Sequence, residues 1–469
     1  MGNFSDKLKK IVVSGKEVLP IIEGGKGIGA TNGFSSGAFA AAGAVGTVSA
    51  VNGQRLDKDG KPLYPKYTGT TRNLRHEELV SFGIEAGIQH VKIANEMAGG
   101  NGRIHINILW EMGGAARVLE GVLKGAKGLV HGVTCGAGMP YRLADICAEY
   151  KVYYHPIVSS MRAFRALWKR SYAKVPQWLG SVVYEDPWLA GGHNGLSNSE
   201  DPNVPEDPYP RVAELRKYMN EEGLKETPII MAGGAWYLRD WEHWLGNPEI
   251  GPVAFQFGTR PLLTQESPVP EVWKKKLMEL DEGDVFLNRF SPTGFYSSAV
   301  NNNFIKELRG RSERQIPYAT EEEGYMAVPI PFGPRKRDVF ITPEDKAKVN
   351  EWMAQGFDEP MKTPDGTLIF VNKEKAMQIH QDQVDCMGCL SHCKFSNWKD
   401  HDDHSTGKKP DPRSFCIQKT LQDIIFGAPV DDQLQFSGHN AYKFKTDPFY
   451  KNGFVPTVKQ LVDRIMTGD

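Results

Sequence analysis

The chain has 469 residues, with 56 Lys and Arg against 57 Asp and Glu, a formal net charge of −1. That balance excludes a global electrostatic pull toward nucleic acid or an anionic membrane. A composition 40% hydrophobic and 24% charged excludes wholesale disorder. The longest mostly apolar run, Ala38–Val51, is broken by Gly and Ser and is too short to span a bilayer. The N-terminus MGNFSDKLKK lacks a signal-peptide core, and Asp6 stands where a myristoylation pattern wants Ser or Thr, so a cytoplasmic protein is expected. Forty-nine glycines, about 10% of the chain against about 7% on average, point to many tight turns or to backbone approaching a ligand.

Taken in order, short β-branched runs alternate with helical patterns. Strands are expected at Leu19–Glu23, Val45–Val51, Ile104–Trp110, Gly128–Thr134, Val152–Ser159, Leu179–Tyr184, Pro228–Ala232 and Val253–Gly258. Helices are expected at Glu77–Ala98, Ala115–Gly125, Tyr141–Glu149, Ala163–Lys174, Arg211–Glu222 and Tyr237–Leu245. Such alternation means βαβ units and a parallel sheet. An open doubly wound sheet is the rival, but eight units favour an α/β (β/α)8 TIM barrel. Two long loops interrupt the pattern, Asn52–Thr71 and Trp188–Pro208. The alternation stops near residue 285, so we divide the chain into a barrel, 1–290, and a C-terminal extension or cap, 291–469, with a helix expected at Pro343–Gln355. Arg335-Lys336-Arg337 reads as a solvated basic run.

In either fold the ligand sits at the carboxyl ends of the strands. Glycines gather there: Gly24, Gly25, Gly136, Gly138, Gly191, Gly192, Gly233, Gly234 and Gly258. His193, in Ala190-Gly191-Gly192-His193-Asn194-Gly195, follows the sixth strand and suits proton transfer near neutral pH. Ile229–Gly234 and Phe255–Arg260 end the seventh and eighth strands. Loops at these places commonly bind a phosphate through bare N–H groups. Tyr184, Glu185 and Trp188 flank the His193 loop and are expected to line a pocket. Trp236, Trp241 and Trp244 are expected to pack a helix. The other barrel-region histidines, His76, His90, His105, His131, His155 and His243, read as structural, with His131 and His155 as second-layer residues.

The ordered segments IIEGGKGIG, HINILW, TCGAGMP, EDPWLAGGHNG, IIMAGG and QFGTRPLLTQES resemble the nitronate monooxygenase family, which is close to FMN-containing enoyl-ACP reductases. The resemblance covers about residues 18–310, including Ser291-Pro292-Thr293-Gly294. It implies a barrel holding FMN. Gly24 and Gly25 would lie on the flavin face, and Asn107 would bond the ring. Gly136, Gly138 and Gly192 would admit close approach. Gly233, Gly234, Gly258 and Thr259 would bind the phosphate, with Gln256 nearby, and His193 would be the base. It further implies a small-molecule substrate: a nitronate or nitroalkane oxidised with oxygen, or an enoyl thioester or other activated alkene reduced with NAD(P)H. A catalytically silent flavin- or metal-binding subunit is a third reading, and an oligomer stays open. Lys26 departs from the family, which usually has an apolar residue there.

Four of the six cysteines, Cys386, Cys389, Cys393 and Cys416, fall within 31 residues with C-x2-C-x3-C…C spacing. In a reduced compartment this count suits a [4Fe–4S] cluster, with zinc as the rival and free thiols as the plain alternative. His401, Asp402, Asp403 and His404 are candidate substitute ligands for zinc.

Overall fold

The computed structural model describes residues 4–333 and 335–469; Met1, Gly2 and Asn3 of the Met-Gly start, and Pro334, lie outside them. Eight parallel strands close into a barrel: β1 (Ile21–Glu23), β2 (Val45–Ser49), β3 (Arg103–Leu109), β4 (Gly132–Gly136), β5 (Tyr153–Val158), β6 (Val182–Glu185), β7 (Ile229–Ala232) and β8 (Val253–Phe257). Neighbours around the barrel follow chain order, and β8 closes on β1 through Phe255 opposite Ile21. All eight strands expected from the sequence are present. The fourth begins later than the pattern suggests, because Gly128 takes a left-handed φ of +79° in the turn before it.

Side-chain alternation sorts the barrel into two faces. Along β3, Ile104, Ile106 and Ile108 point outward and join the core packed under the helices. Inside, Ile22, Val45, Val183, Ile230 and Ala254 form a separate apolar layer. Val13 and Val18 complete that layer. They come from an antiparallel hairpin, Ile11–Val13 with Lys16–Val18, that plugs the barrel floor. At the hairpin's tip Ser14 Oγ lies 2.9 Å from both His105 Nε2 and His155 Nε2. His155 is therefore a floor residue, remote from the ligand end of the strands. His131 accepts from the Ile104 backbone N–H at 3.0 Å and belongs to the same lower layer.

The outer helices begin where short polar side chains satisfy free N–H groups. Asn32 and Ser35 form a capping box on α1 (Gly33–Ala41), and Thr71 caps α2 (Arg72–Ala98), which Gly99 ends in a left-handed conformation. α3 (Ala115–Gly125), α4 (Leu143–Tyr150), α5 (Met161–Arg170) and α6 (Pro208–Glu221) follow. The segment expected as a helix at Tyr237–Leu245 is a 3-10 helix, Leu238–Trp244. Trp241 and Trp244 pack there edge to face, with ring centroids 4.8 Å apart.

Beyond β8 the chain keeps returning to the barrel. Ser297–Val300 pairs with Val285–Asn288 and with Gly192–His193, Ser297 standing opposite His193. A small antiparallel sheet (Gln315–Pro317, Glu359–Lys362, Thr367–Val371) holds its own apolar cluster with Val349 of the helix Pro343–Ala354. The last helix, Val458–Met466, buries Val458, Leu461, Val462 and Ile465 in the outer core of the barrel. Among the described residues no helix is long and apolar enough to cross a membrane.

Candidate active site

A deep cavity opens at the carboxyl ends of the strands. Asn107, Thr134, Gly136, Ile157, Glu185, Ala232 and Gln256 line it from inside the barrel. Of the residues singled out in the sequence, Gly24, Gly25, Asn107, Gly136, Gly192, His193, Gly233, Gly234, Gln256, Gly258 and Thr259 all border this cavity. Gly138 does not. Its φ is +106°, and a Cβ there would fall 2.5 Å from Glu111 Oε1, so it is a turn residue packed against that carboxylate. Tyr184 and Trp188 are also corrected. Tyr184 sits on the outer face of β6, where its hydroxyl accepts from Arg211 Nε at 2.9 Å. Trp188 is buried and donates from Nε1 to Asp201 O. Trp236, expected only to pack a helix, borders the cavity.

The glycines have identifiable reasons. A Cβ on Gly25 would lie 2.3 Å from Asn107 Cβ, so only glycine lets the first loop settle on β3. Gly233 and Gly234 carry φ of +86° and +78° and turn the chain sharply after β7. A Cβ on Gly258 would meet nothing within 4 Å.

One wall comes from a segment that the sequence pattern did not mark. Phe436, Ser437, Gly438 and Asn440 border the cavity. The Gly438 N–H donates to Thr259 Oγ1 at 2.9 Å, the His439 N–H donates to Leu189 O, and Asn440 Nδ2 donates to Gly234 O at 2.5 Å. This segment thus ties together the loops after β6, β7 and β8. The only local signal was the turn sequence Ser437-Gly438-His439-Asn440, which carries no periodicity. Ser437 Oγ is buried with no hydrogen-bond partner among the described residues. An unpaired hydroxyl beside the glycine turns at Gly233-Gly234 and Gly258 fits the oxygen-rich phosphate end of a nucleotide cofactor.

His193 stands on the cavity wall. Its Nε2 lies 2.6 Å from Ser291 Oγ, which lies 2.8 Å from Thr293 Oγ1. The Phe436 ring contacts the imidazole edge to face, 5.4 Å between centroids. Loss of water lowers the His193 pKa to about 4, so the ring is neutral near pH 7. Two other groups in the cavity are also moved toward neutrality, Glu185 upward and Lys26 downward. Burial, reinforced by the neighbouring Asp186 charge, pushes Glu185 up to about 8. Burial lowers Lys26 to about 8, opposed by Glu23, and its Nζ donates to Gly24 O at 2.6 Å.

The four C-terminal cysteines border a second, smaller cavity, together with Asp382, Met387, Phe395, Ser396 and Ile417. None is in a disulfide. His401, Asp402, Asp403 and His404 do not border it: His404 stacks on Trp398 at 4.8 Å, and His401 pairs with Asp403. Among the described residues, no three Cys, His, Asp or Glu side chains converge tightly enough to hold a single metal ion.

The molecule is similar in fold to FabK from Thermotoga maritima, at 14% identity and a TM-score of 0.50 over 100% of this chain and 96% of that one. It is likewise similar to the enoyl reductase domain of MlnA from the macrolactin biosynthesis cluster of Bacillus amyloliquefaciens, at 11% identity and a TM-score of 0.51 over 96% and 93% of the two chains. A search of curated proteins finds no match. The family profile described as nitronate monooxygenase matches residues 106–381, more than half of the chain, from β3 into the helix Lys373–Val384. The chain belongs to the nitronate monooxygenase family and is an FMN-dependent oxidoreductase.

Proposed function

We propose that the protein oxidises small nitronates and nitroalkanes, with oxygen as the acceptor and His193 as the base for the neutral nitroalkane. When bound, FMN supplies the redox chemistry, taking electrons from the substrate and giving them to oxygen. Gly233, Gly234, Gly258 and Ser437 would hold its phosphate, and Gly24, Gly25 and Asn107 would lie against the ring. Gly136, Gly192, Gln256 and Thr259 complete that wall.

The observation that carries this reading is the state of His193. We read Nε2 as the donor to Ser291 Oγ, one of the two tautomers that this contact allows, with the Ser291 hydroxyl turned toward Thr293. Nδ1 then keeps its lone pair, and it has no hydrogen-bond partner among the described residues. A neutral imidazole in this tautomer, with an open nitrogen, can take the acidic proton α to a nitro group. Lys26, an ammonium in a desolvated cavity, would neutralise negative charge building up on cofactor or substrate.

The test is His193→Ala. The variant should retain FMN and still oxidise a preformed nitronate, which needs no base, while turnover of the neutral nitroalkane falls by about 100-fold or more. Wild-type turnover of the nitroalkane would remove His193 from the reaction.

A second reading is reduction of an activated alkene, such as an enoyl thioester, with NAD(P)H. Glu185 favours it: a carboxyl with a pKa near 8 is protonated at pH 7 and can deliver a proton to a carbon next to the thioester. Anaerobic bleaching of the bound flavin by NADH or NADPH supports this reading. Oxygen uptake with a nitronate and no nicotinamide supports the first. The four C-terminal thiols lie outside this cavity, and we assign them to a separate metal centre.

A further inference from the structure

We propose that Cys386, Cys389, Cys393 and Cys416 are the four ligands of a [4Fe–4S] cluster, seated in a separate pocket beside the flavin cavity. The four free thiols border one small pocket, although Cys416 is 23 residues away from Cys393 in sequence. They do not converge on a point that one ion could occupy. A tetrahedral zinc site needs Zn–S bonds of about 2.3 Å, which brings its sulfurs within about 3.8 Å of each other. A four-iron cluster needs a wider ring, because each thiolate binds its own iron. Four cysteines that border one pocket without converging on a single point match the second requirement.

The surroundings suit thiolates. The Gly388 N–H donates to Cys386 Sγ at 3.5 Å, and Ser396 Oγ lies 3.1 Å from the same sulfur. Backbone N–H groups of Gln418, of Phe395 and Ser396, and of Lys419 lie against Cys389, Cys393 and Cys416 respectively. N–H groups close to thiolate sulfurs stabilise anionic ligands and tune a cluster. Gly388 takes a φ of +64°, and a Cβ there would fall 2.4 Å from the Trp398 ring, so the loop is fixed in shape. It is also fixed in place: the Gly113 N–H donates to Cys389 O, and the Ser391 N–H to Glu111 O, both just past the end of β3.

Two elements connect this pocket to the flavin cavity. Cys416 is the N-cap of the helix Ile417–Ile425, and Leu421 on that helix borders the flavin cavity. Five residues of helical rise separate them, about 7.5 Å. Phe436, which contacts His193, packs on the apolar cluster that contains Cys386, Cys389 and Cys393. Binding a preassembled cluster releases the four thiol protons as four Fe–S bonds form, with no change in oxidation state.

The test is to express the full chain under iron-replete conditions, purify it anaerobically and quantify iron, acid-labile sulfide, zinc and flavin on one sample. About four irons and four sulfides per chain are expected, with a paramagnetic signal after chemical reduction. Cys389→Ser and Cys416→Ser should each lose most of the iron. Cys147→Ser, whose thiol is buried on α4 under the barrel, should keep it. One zinc per chain without sulfide, or no metal after anaerobic reconstitution with ferrous iron and sulfide, would overturn the assignment. The flavin reading fails separately: iron and sulfide in a flavin-free protein would sink that reading and leave this one standing.

Discussion

His193 Nε2 and Ser291 Oγ lie 2.6 Å apart, although 98 residues separate them in the chain. The contact forms because Ser297–Val300 pairs with Gly192–His193, which brings the turn at Ser291–Gly294 over the imidazole. Ser291→Ala removes the hydroxyl that meets Nε2 and leaves the ring otherwise packed. Turnover of a neutral nitroalkane should drop about tenfold, about 1.4 kcal/mol in the barrier, with oxidation of a preformed nitronate nearly unchanged. Steady-state kinetics on both substrates check this.

The low pKa of His193 sets a pH profile. The base form persists down to about pH 4, so kcat/KM for the nitroalkane should stay flat from pH 7 to pH 5 and fall with a midpoint near 4. A free imidazole would give a midpoint near 6.5. The nitronate profile should lack this limb. If the second reading holds, alkene reduction should instead decline above about pH 8 as Glu185 loses its proton, and Glu185→Gln should abolish that decline.

Gly25 and Gly258 border the same cavity for different reasons, and alanine separates them. Gly25→Ala forces a methyl group into Asn107, so stability should fall by about 1–3 kcal/mol and FMN affinity should fall with it. Gly258→Ala meets no atom within 4 Å, so the thermal midpoint should hold while the new methyl intrudes on the cofactor and weakens its binding. Thermal unfolding with and without FMN, together with flavin titration, reads both effects.

The barrel floor predicts acid sensitivity. His105 and His155 are fully buried, share Ser14 Oγ, and are held neutral by desolvation: His155 down to about 3, and His105 well below its ordinary value. Their depressed pKa values mean that the unfolded chain binds more protons below about pH 6.5. Their contribution is present in full above that pH and is lost as the pH falls toward 3. His131 and His193, both near 4, act in the same direction. Glu23 and Glu185, raised by burial, act oppositely, because the folded state holds their protons up to higher pH than the unfolded chain does. The imidazoles outnumber them, so the urea midpoint should fall between pH 7 and pH 5. At pH 7, Ser14→Ala should cost about 1–3 kcal/mol by stranding two ring nitrogens and leave kcat intact.

Much of this was legible in local pattern. A strand of three to seven residues announces itself through β-branched content and flanking turn chemistry, and all eight barrel strands could be read in this way. The glycine turns and His193 were legible because, in a barrel, the carboxyl end of a strand is also the ligand end. Gly138 misled, since positive φ marks a turn whether or not a ligand lies beside it. The Phe436–Asn440 segment was hidden for a different reason: it reaches the cavity through contacts such as Asn440 with Gly234, 206 residues apart.

The sequence by itself determined the βα alternation, the floor and mouth of each strand, and the count and spacing of the cysteines, because these rest on covalent order and short-range conformational preference. Only the tertiary structure decided which imidazole nitrogen meets Ser291, which carboxyl is buried in the cavity, and whether Cys416 joins the other three thiols around one pocket. Those properties depend on desolvation and on neighbours brought together from distant parts of the chain, and no local window of sequence contains them.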